Sequence, residues 1–103
     1  MIWNEYIELA DRERLKEIQN VRFIEMIERI YYNVPFYRQI FQKNKIEPAD
    51  IKSIDQLKDL PFTLKDDLRD NYPFGLFTVS QNEIVRLHAS SGTTGKPTVV
   101  GYT

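Results

Sequence analysis

Glu83-Ile84-Val85-Arg86-Leu87-His88-Ala89 runs into Ser90-Ser91-Gly92-Thr93-Thr94-Gly95-Lys96 and then into Pro97-Thr98-Val99-Val100-Gly101-Tyr102-Thr103. The first run is rich in branched residues and partly alternating, which is the pattern of a strand. The last run resumes that pattern. Between them lies a polar, glycine-containing loop, residues 90–97. Gly92 and Gly95 let the backbone bend and approach a ligand closely. Successive N–H groups in such a bend can converge into a nest for an anion. Ser90, Ser91, Thr93 and Thr94 add hydroxyl donors, and Lys96 adds a positive charge. Many donors around one cation is what phosphate oxygens require. The loop is not a Walker A sequence, because only two residues separate its glycines and Pro97 follows the lysine. The segment after it reads as strand, so no helix N-terminus faces the phosphates. A plain hairpin turn is the competing reading.

Upstream the pattern changes to helix. Leu15, Ile18, Val21, Phe23, Ile24, Met26, Ile27, Ile30 and Tyr31 recur mostly at spacings of three to four, the period of an amphipathic helix. Asp11 is placed to cap its start. Asn33 is expected to take the left-handed turn that ends it. Pro35 suits the first position of a second helix, with Phe36, Tyr37, Ile40 and Phe41 on the buried side and an end near Asn44. Ser53 and Gln56 have capping-box spacing ahead of a short helix closed by Pro61. Thr63 is expected to cap another through Leu64 and Leu68, closed near Pro73. Residues 1–10 form a short arm or helix that Trp3, Tyr6, Ile7 and Leu9 could dock.

The chain is therefore expected to be an α+β fragment. Residues 1–73 are mainly helical, and residues 74–103 are mainly strands flanking the loop at 90–97. Two strands do not make a self-sufficient sheet. A truncated part of a larger domain is the expected reading, with open strand edges that would favour a homodimer.

Bulk composition narrows the function. Among 103 residues, 14 basic and 15 acidic side chains nearly cancel to a net charge of -1. A surface so balanced exerts no long-range pull on nucleic acid or anionic lipid, so neither partner is expected. With no cysteine there is no disulfide, no thiolate nucleophile and no Cys-based zinc site, which fits a reducing cytoplasm. The start, Met1-Ile2-Trp3-Asn4-Glu5, lacks the basic then apolar pattern of a signal peptide. His88, the single histidine, reads as a structural hydrogen-bonding residue. Asp66, Asp67 and Asp70 alternate with Lys65 and Arg69, so they read as a balanced first helical turn and not as a metal site. The aromatics Phe36, Tyr37, Phe41, Tyr72, Phe74 and Phe77 read as packing and not as an acid pocket.

The run from Ser90 to Pro97 resembles the phosphate loop of acyl-activating, adenylate-forming enzymes. The wider stretch from Arg86 to Thr103 resembles the phenylacetate–CoA ligase family in particular. So do Asn33-Val34-Pro35-Phe36-Tyr37-Arg38, Leu60-Pro61-Phe62-Thr63 and Asp67-Leu68-Arg69-Asp70-Asn71-Tyr72-Pro73-Phe74-Gly75. Several separated motifs in the family's order carry more weight than one loop.

The resemblance implies that residues 1–103 are the N-terminal part of a large α/β adenylating domain. It implies a two-step ligase that uses ATP, Mg2+ and coenzyme A to activate an aryl acid, phenylacetate being the expected one. Within it, Ser90, Ser91, Gly92, Thr93, Thr94, Gly95 and Lys96 would contact the β- and γ-phosphates. Thr93 and Thr94 would be the side-chain donors, and Lys96 an electrostatic helper. The family's adenine pocket, acid pocket, magnesium-binding acid and catalytic lysine lie downstream. No catalytic or metal-binding residue is therefore expected here, and residues 1–103 alone should be inactive. Two alternatives stay open: a ligase for another aryl acid, and a non-catalytic nucleotide-binding or interaction module.

Overall fold

A computed structural model describes residues 1–92 and 95–103; the expected donors Thr93 and Thr94 lie outside the described residues. Among the described residues four helices precede two strands: α1 (Glu5–Glu8), α2 (Arg12–Asn33), α3 (Pro35–Lys43), α4 (Lys65–Asp70), β1 (Arg86–Ala89) and β2 (Val99–Tyr102). Short 3-10 turns at Pro48–Asp50, Ile54–Asp59 and Gln81–Glu83 fill the intervals. The α+β expectation holds, although β1 begins three residues later than expected because Gln81–Glu83 coils first.

α2 starts where its cap is written. The Asp11 carboxylate accepts the Arg14 N–H at 2.9 Å, satisfying one unpaired donor of the first turn. The far end departs from expectation. Asn33 remains helical, and the cap is Val34 in an extended conformation (φ -120°, ψ 103°). The residue before a proline is pushed out of the α region, so Pro35 itself dictates this ending and no left-handed residue is needed. Pro35 then opens α3 at its first turn. The Arg38 guanidinium donates back to the carbonyls of Tyr31 and Tyr32 at 3.0 and 2.9 Å, satisfying acceptors that the end of α2 leaves open.

The left-handed residue appears at the end of α3 instead. Lys45 has φ 57°, the Ile46 N–H donates to the Phe41 carbonyl at 2.8 Å, and the Lys45 N–H donates to Gln42 at 3.1 Å. That is a Schellman ending, and Ile46 packs against the core cluster containing Phe41 as the motif favours.

The core is small. Phe23 and Ile27 of α2, Phe41 of α3 and Ile51 form its buried cluster, with Ile30, Tyr31, Ile40, Ile46, Ile54 and Leu60 packed around it. The Asn20 side-chain oxygen accepts the Ile54 N–H at 2.8 Å, tying α2 to the next turn. Ser53 and Gln56 form the expected capping box there, on a 3-10 turn. Alongside, Lys16 lies 3.0 Å from Asp55, and its hydrogen bond and charge hold that carboxyl below the usual carboxylate range.

Thr63 does not cap α4. Its hydroxyl shares a 2.8 Å hydrogen bond with the Tyr37 hydroxyl, and the Asp67 carboxylate accepts the Leu64 N–H at 2.7 Å. The tertiary partner on α3 wins the threonine, and a residue inside the helix supplies the capping acceptor.

The arm at residues 1–10 keeps Trp3, Tyr6 and Leu9 in solvent, Trp3 being 91% exposed, while Ile7 is half-buried. More broadly, the accessible surface is 8115 Å². A folded monomer of 12.2 kDa has about 6,100 Å². The radius of gyration, 16.2 Å, likewise exceeds the roughly 13 Å of a self-contained domain this long. The excess of about 2,000 Å² is the scale of a full protein interface.

Candidate phosphate-binding loop

β1 and β2 pair antiparallel, with Arg86 opposite Tyr102, Leu87 opposite Gly101, His88 opposite Val100 and Ala89 opposite Val99. This register carries the loop at the tip of a hairpin. The pairing continues one step beyond the strands, where the Ser90 N–H donates to the Thr98 carbonyl at 2.9 Å. Ser90 Oγ then accepts from the Thr98 N–H at 3.0 Å and from Thr98 Oγ1 at 2.9 Å. Three hydrogen bonds between two residues close the neck of the loop. With both acceptances made, the Ser90 hydroxyl proton is left to donate outward.

Within the loop, Gly92 has φ 54° and Gly95 has φ 132°. A Cβ at Gly92 would also lie 3.0 Å from the Gly95 carbonyl oxygen and from Pro97 N. Conformation and space therefore both require glycine at 92. The N–H nest expected across 92–95 runs through Thr93 and Thr94, outside the described residues. Ser91 and Lys96 are exposed. Lys96 Nζ stands 5.8 Å from the centroid of the Tyr72 ring, within cation–π range.

The hairpin rests on the segment after α4. A Cβ on Gly101 would sit 2.7 Å from Phe77 Cζ and 3.1 Å from Ile84 Cδ1, so the Phe77 ring lies flush against bare backbone. Phe74 and Phe77 pack with centroids 5.3 Å apart. Gly101→Ala should therefore destabilise by about 1–3 kcal/mol through overpacking. In urea unfolding, a Phe77→Leu change should recover part of that loss, since it removes the atoms a methyl would meet. Equal and additive penalties would place the cause elsewhere.

Of the expected site residues, Ser90, Ser91, Gly92, Gly95 and Lys96 are gathered on this tip. His88 lies on β1 with its ring edge-on to Tyr102 at 5.0 Å, a packing role. Among the described residues, no group of three or more His, Cys, Asp or Glu converges to hold a metal. Asp66 bonds Arg69 at 3.1 Å, and Asp67 caps Leu64, as befits a balanced helical turn. Sequence reading missed Thr98 and Tyr72. Thr98 could have been found by laying the two strands in register. Tyr72 carries no local signal, since 24 positions separate it from Lys96. No helix among the described residues is long and apolar enough to cross a membrane.

No family model matches the chain. It is 47% identical over 103 residues to a phenylacetate–coenzyme A ligase of Thermus thermophilus, covering the whole chain and 23% of that protein. It is 52% identical over 99 residues to a phenylacetate–coenzyme A ligase of Aromatoleum evansii, covering 96% of the chain and 22% of that protein. Among solved structures, it superposes with a TM-score of 0.79 and 28% identity on 2-hydroxyisobutyryl-CoA ligase in complex with 2-HIB-AMP and CoA. That match covers 89% of the chain and 20% of the other. The chain thus spans less than a quarter of the length of the curated relatives it matches. Over that stretch the chain is similar in sequence to phenylacetate–coenzyme A ligases and in fold to a 2-hydroxyisobutyryl-CoA ligase.

Proposed function

We propose that this chain is the phosphate-gripping N-terminal part of an AMP-forming phenylacetate–CoA ligase. In that reaction a carboxylate oxygen of the acid attacks the α-phosphorus of ATP. The bond from that phosphorus to the bridging oxygen breaks, and pyrophosphate leaves with the electron pair. The thiol of coenzyme A, losing its proton, then attacks the acyl carbon and expels AMP. The work of residues 90–96 is to hold the β- and γ-phosphates, through the hydroxyls and glycine-bent backbone of the loop and the charge of Lys96. Donors preorganised at a leaving group lower the barrier by meeting charge as it develops. Magnesium accompanies the nucleotide in this reading. The described residues gather no carboxylate set to hold it, so no step is assigned to it in this chain.

The observation that carries the proposal is the 47–53% identity to phenylacetate–coenzyme A ligases along nearly the whole chain. The excess surface supports a place within a larger α/β domain, because about 2,000 Å² needs a cover. In isolation the same surface and the open strand edges would favour a homodimer, and the chain should have no ligase activity. We place the protein in the cytoplasm, where ATP and coenzyme A are at hand.

The 2-hydroxyisobutyryl-CoA ligase likeness points to an aliphatic acid and so does not favour the alternative of another aryl acid; at 28% identity it ranks below the phenylacetate relatives. An assay of AMP release by the whole protein, with ATP, coenzyme A and a panel of acids, decides between them. Phenylacetate is expected to be the best substrate. Preference for a different acid would correct the substrate and leave the chemistry; no acid-dependent AMP release at all would leave a non-catalytic module.

A further inference from the structure

The stretch Asp67-Leu68-Arg69-Asp70-Asn71-Tyr72-Pro73-Phe74-Gly75 has no part in the reaction as described so far, yet the fold brings it under the loop. We propose that Tyr72 is a positioning residue whose ring holds the Lys96 ammonium in place for the nucleotide phosphates. This rests on the phosphate-binding reading of the loop and extends it to a residue far away in sequence.

The backbone around Tyr72 is well tied. The Asn71 side chain donates to the Asp67 carbonyl at 2.8 Å, the Tyr72 N–H donates to Arg69 at 3.1 Å, and the Gly75 N–H donates to Asn71 at 2.8 Å. A Cβ on Gly75 would lie 2.7 Å from the Asn71 carbonyl oxygen, so the turn closes tightly on itself. Tyr72 is 40% exposed, leaving its ring open to the loop. The Lys96 ammonium stands over it at 5.8 Å from the centroid.

A ring suits this task better than a carboxylate. A lysine stem has many rotamers, and fixing its head before the ligand arrives removes part of the ordering cost. A carboxylate would fix it too, but would neutralise the charge that phosphate needs. The neutral ring attracts the cation through its quadrupole and leaves its charge and donors available. Of the acids nearby, Asp66 bonds Arg69 and Asp67 caps Leu64. The ion pairs found among the described residues, Lys16–Asp55 and Arg69–Asp66, do not include Lys96.

The test uses the whole ligase with ATP varied. Tyr72→Leu should raise the KM for ATP roughly two- to fivefold, the range of an exposed cation–π contact, with the loss falling on KM more than on kcat. Tyr72→Phe should restore wild-type behaviour because it keeps the ring face. Lys96→Met should raise KM at least as much, and adding Tyr72→Leu to it should do nothing further. Should Tyr72→Leu fold poorly, pentafluorophenylalanine at position 72 is compared with phenylalanine there. The shape is kept, the quadrupole is reversed, and KM should rise. If Tyr72→Leu and Lys96→Met multiply, or fluorination has no effect, the positioning role is overturned while the loop reading stands. If Lys96→Met leaves ATP binding intact, the role of Lys96 in the phosphate-binding reading fails first.

Discussion

A Thr93→Val, Thr94→Val double variant of the whole ligase is expected to lose acid-dependent pyrophosphate release by about two orders of magnitude or more. Valine keeps the branched shape of threonine and removes only the hydroxyl. A hydrogen bond to a charged acceptor is worth roughly 1.5–3 kcal/mol, so each lost donor costs about tenfold or more. The β- and γ-phosphates gain charge as they depart, so part of the loss should fall on kcat and part on the affinity for ATP. Stopped or radiolabelled pyrophosphate release, read at low and at saturating ATP, separates the two. Undiminished release with ATP affinity intact would remove the loop from nucleotide binding. Because these hydroxyls are assigned to the leaving pyrophosphate and not to the acid, the effect should be nearly independent of which acid is supplied.

Phe41→Ala should produce the largest change in stability. Phe41 is 2% exposed and joins α3 to the cluster that α2 supplies through Phe23 and Ile27. Its ring also packs near Tyr31, with centroids 6.0 Å apart. Removing a buried phenyl group forfeits its transfer free energy and leaves a cavity, about 3–5 kcal/mol together. A domain's whole stability is roughly 5–15 kcal/mol, so the variant should be largely unfolded at moderate urea. Phe62→Ala is the internal comparison. That ring is 89% exposed, and its loss should change stability by no more than about 0.5 kcal/mol. Equal midpoints for the two variants would mean that the core described above is not where stability resides. Because the chain's excess surface calls for a larger protein, both variants are best compared in the whole ligase and in the isolated chain.

Much of this molecule was legible locally. The Asp11 cap, Pro35 at the opening of α3, the Ser53–Gln56 box and the antiparallel hairpin all follow from effects that act within a few residues: a side-chain acceptor for an open N–H, a fixed φ, and alternation of branched side chains. The glycines of the loop belong to the same class, since positive φ is a property of one residue and its neighbours. The phosphate-binding candidate could therefore be named from residues 90–97 alone.

Competition between partners was decided only by the tertiary structure. Thr63 could cap a helix or bond Tyr37, and packing of α3 against the following segment awarded it to Tyr37. Asn33 was expected to take a left-handed conformation, and Lys45 takes it instead. Pro35 removed the first, while the need to close the end of α3 over the core selected the second. Ser90 was expected as a phosphate donor and is also the clasp of the loop neck, which only the strand register reveals. The meeting of Tyr72 with Lys96 lies furthest from the sequence. It requires the turn after α4 and the hairpin tip to arrive at one place, and no periodicity or cap encodes that. Local chemistry wrote the elements and the loop; which side chain each group finally touches was settled by packing, where one contact is made by displacing another.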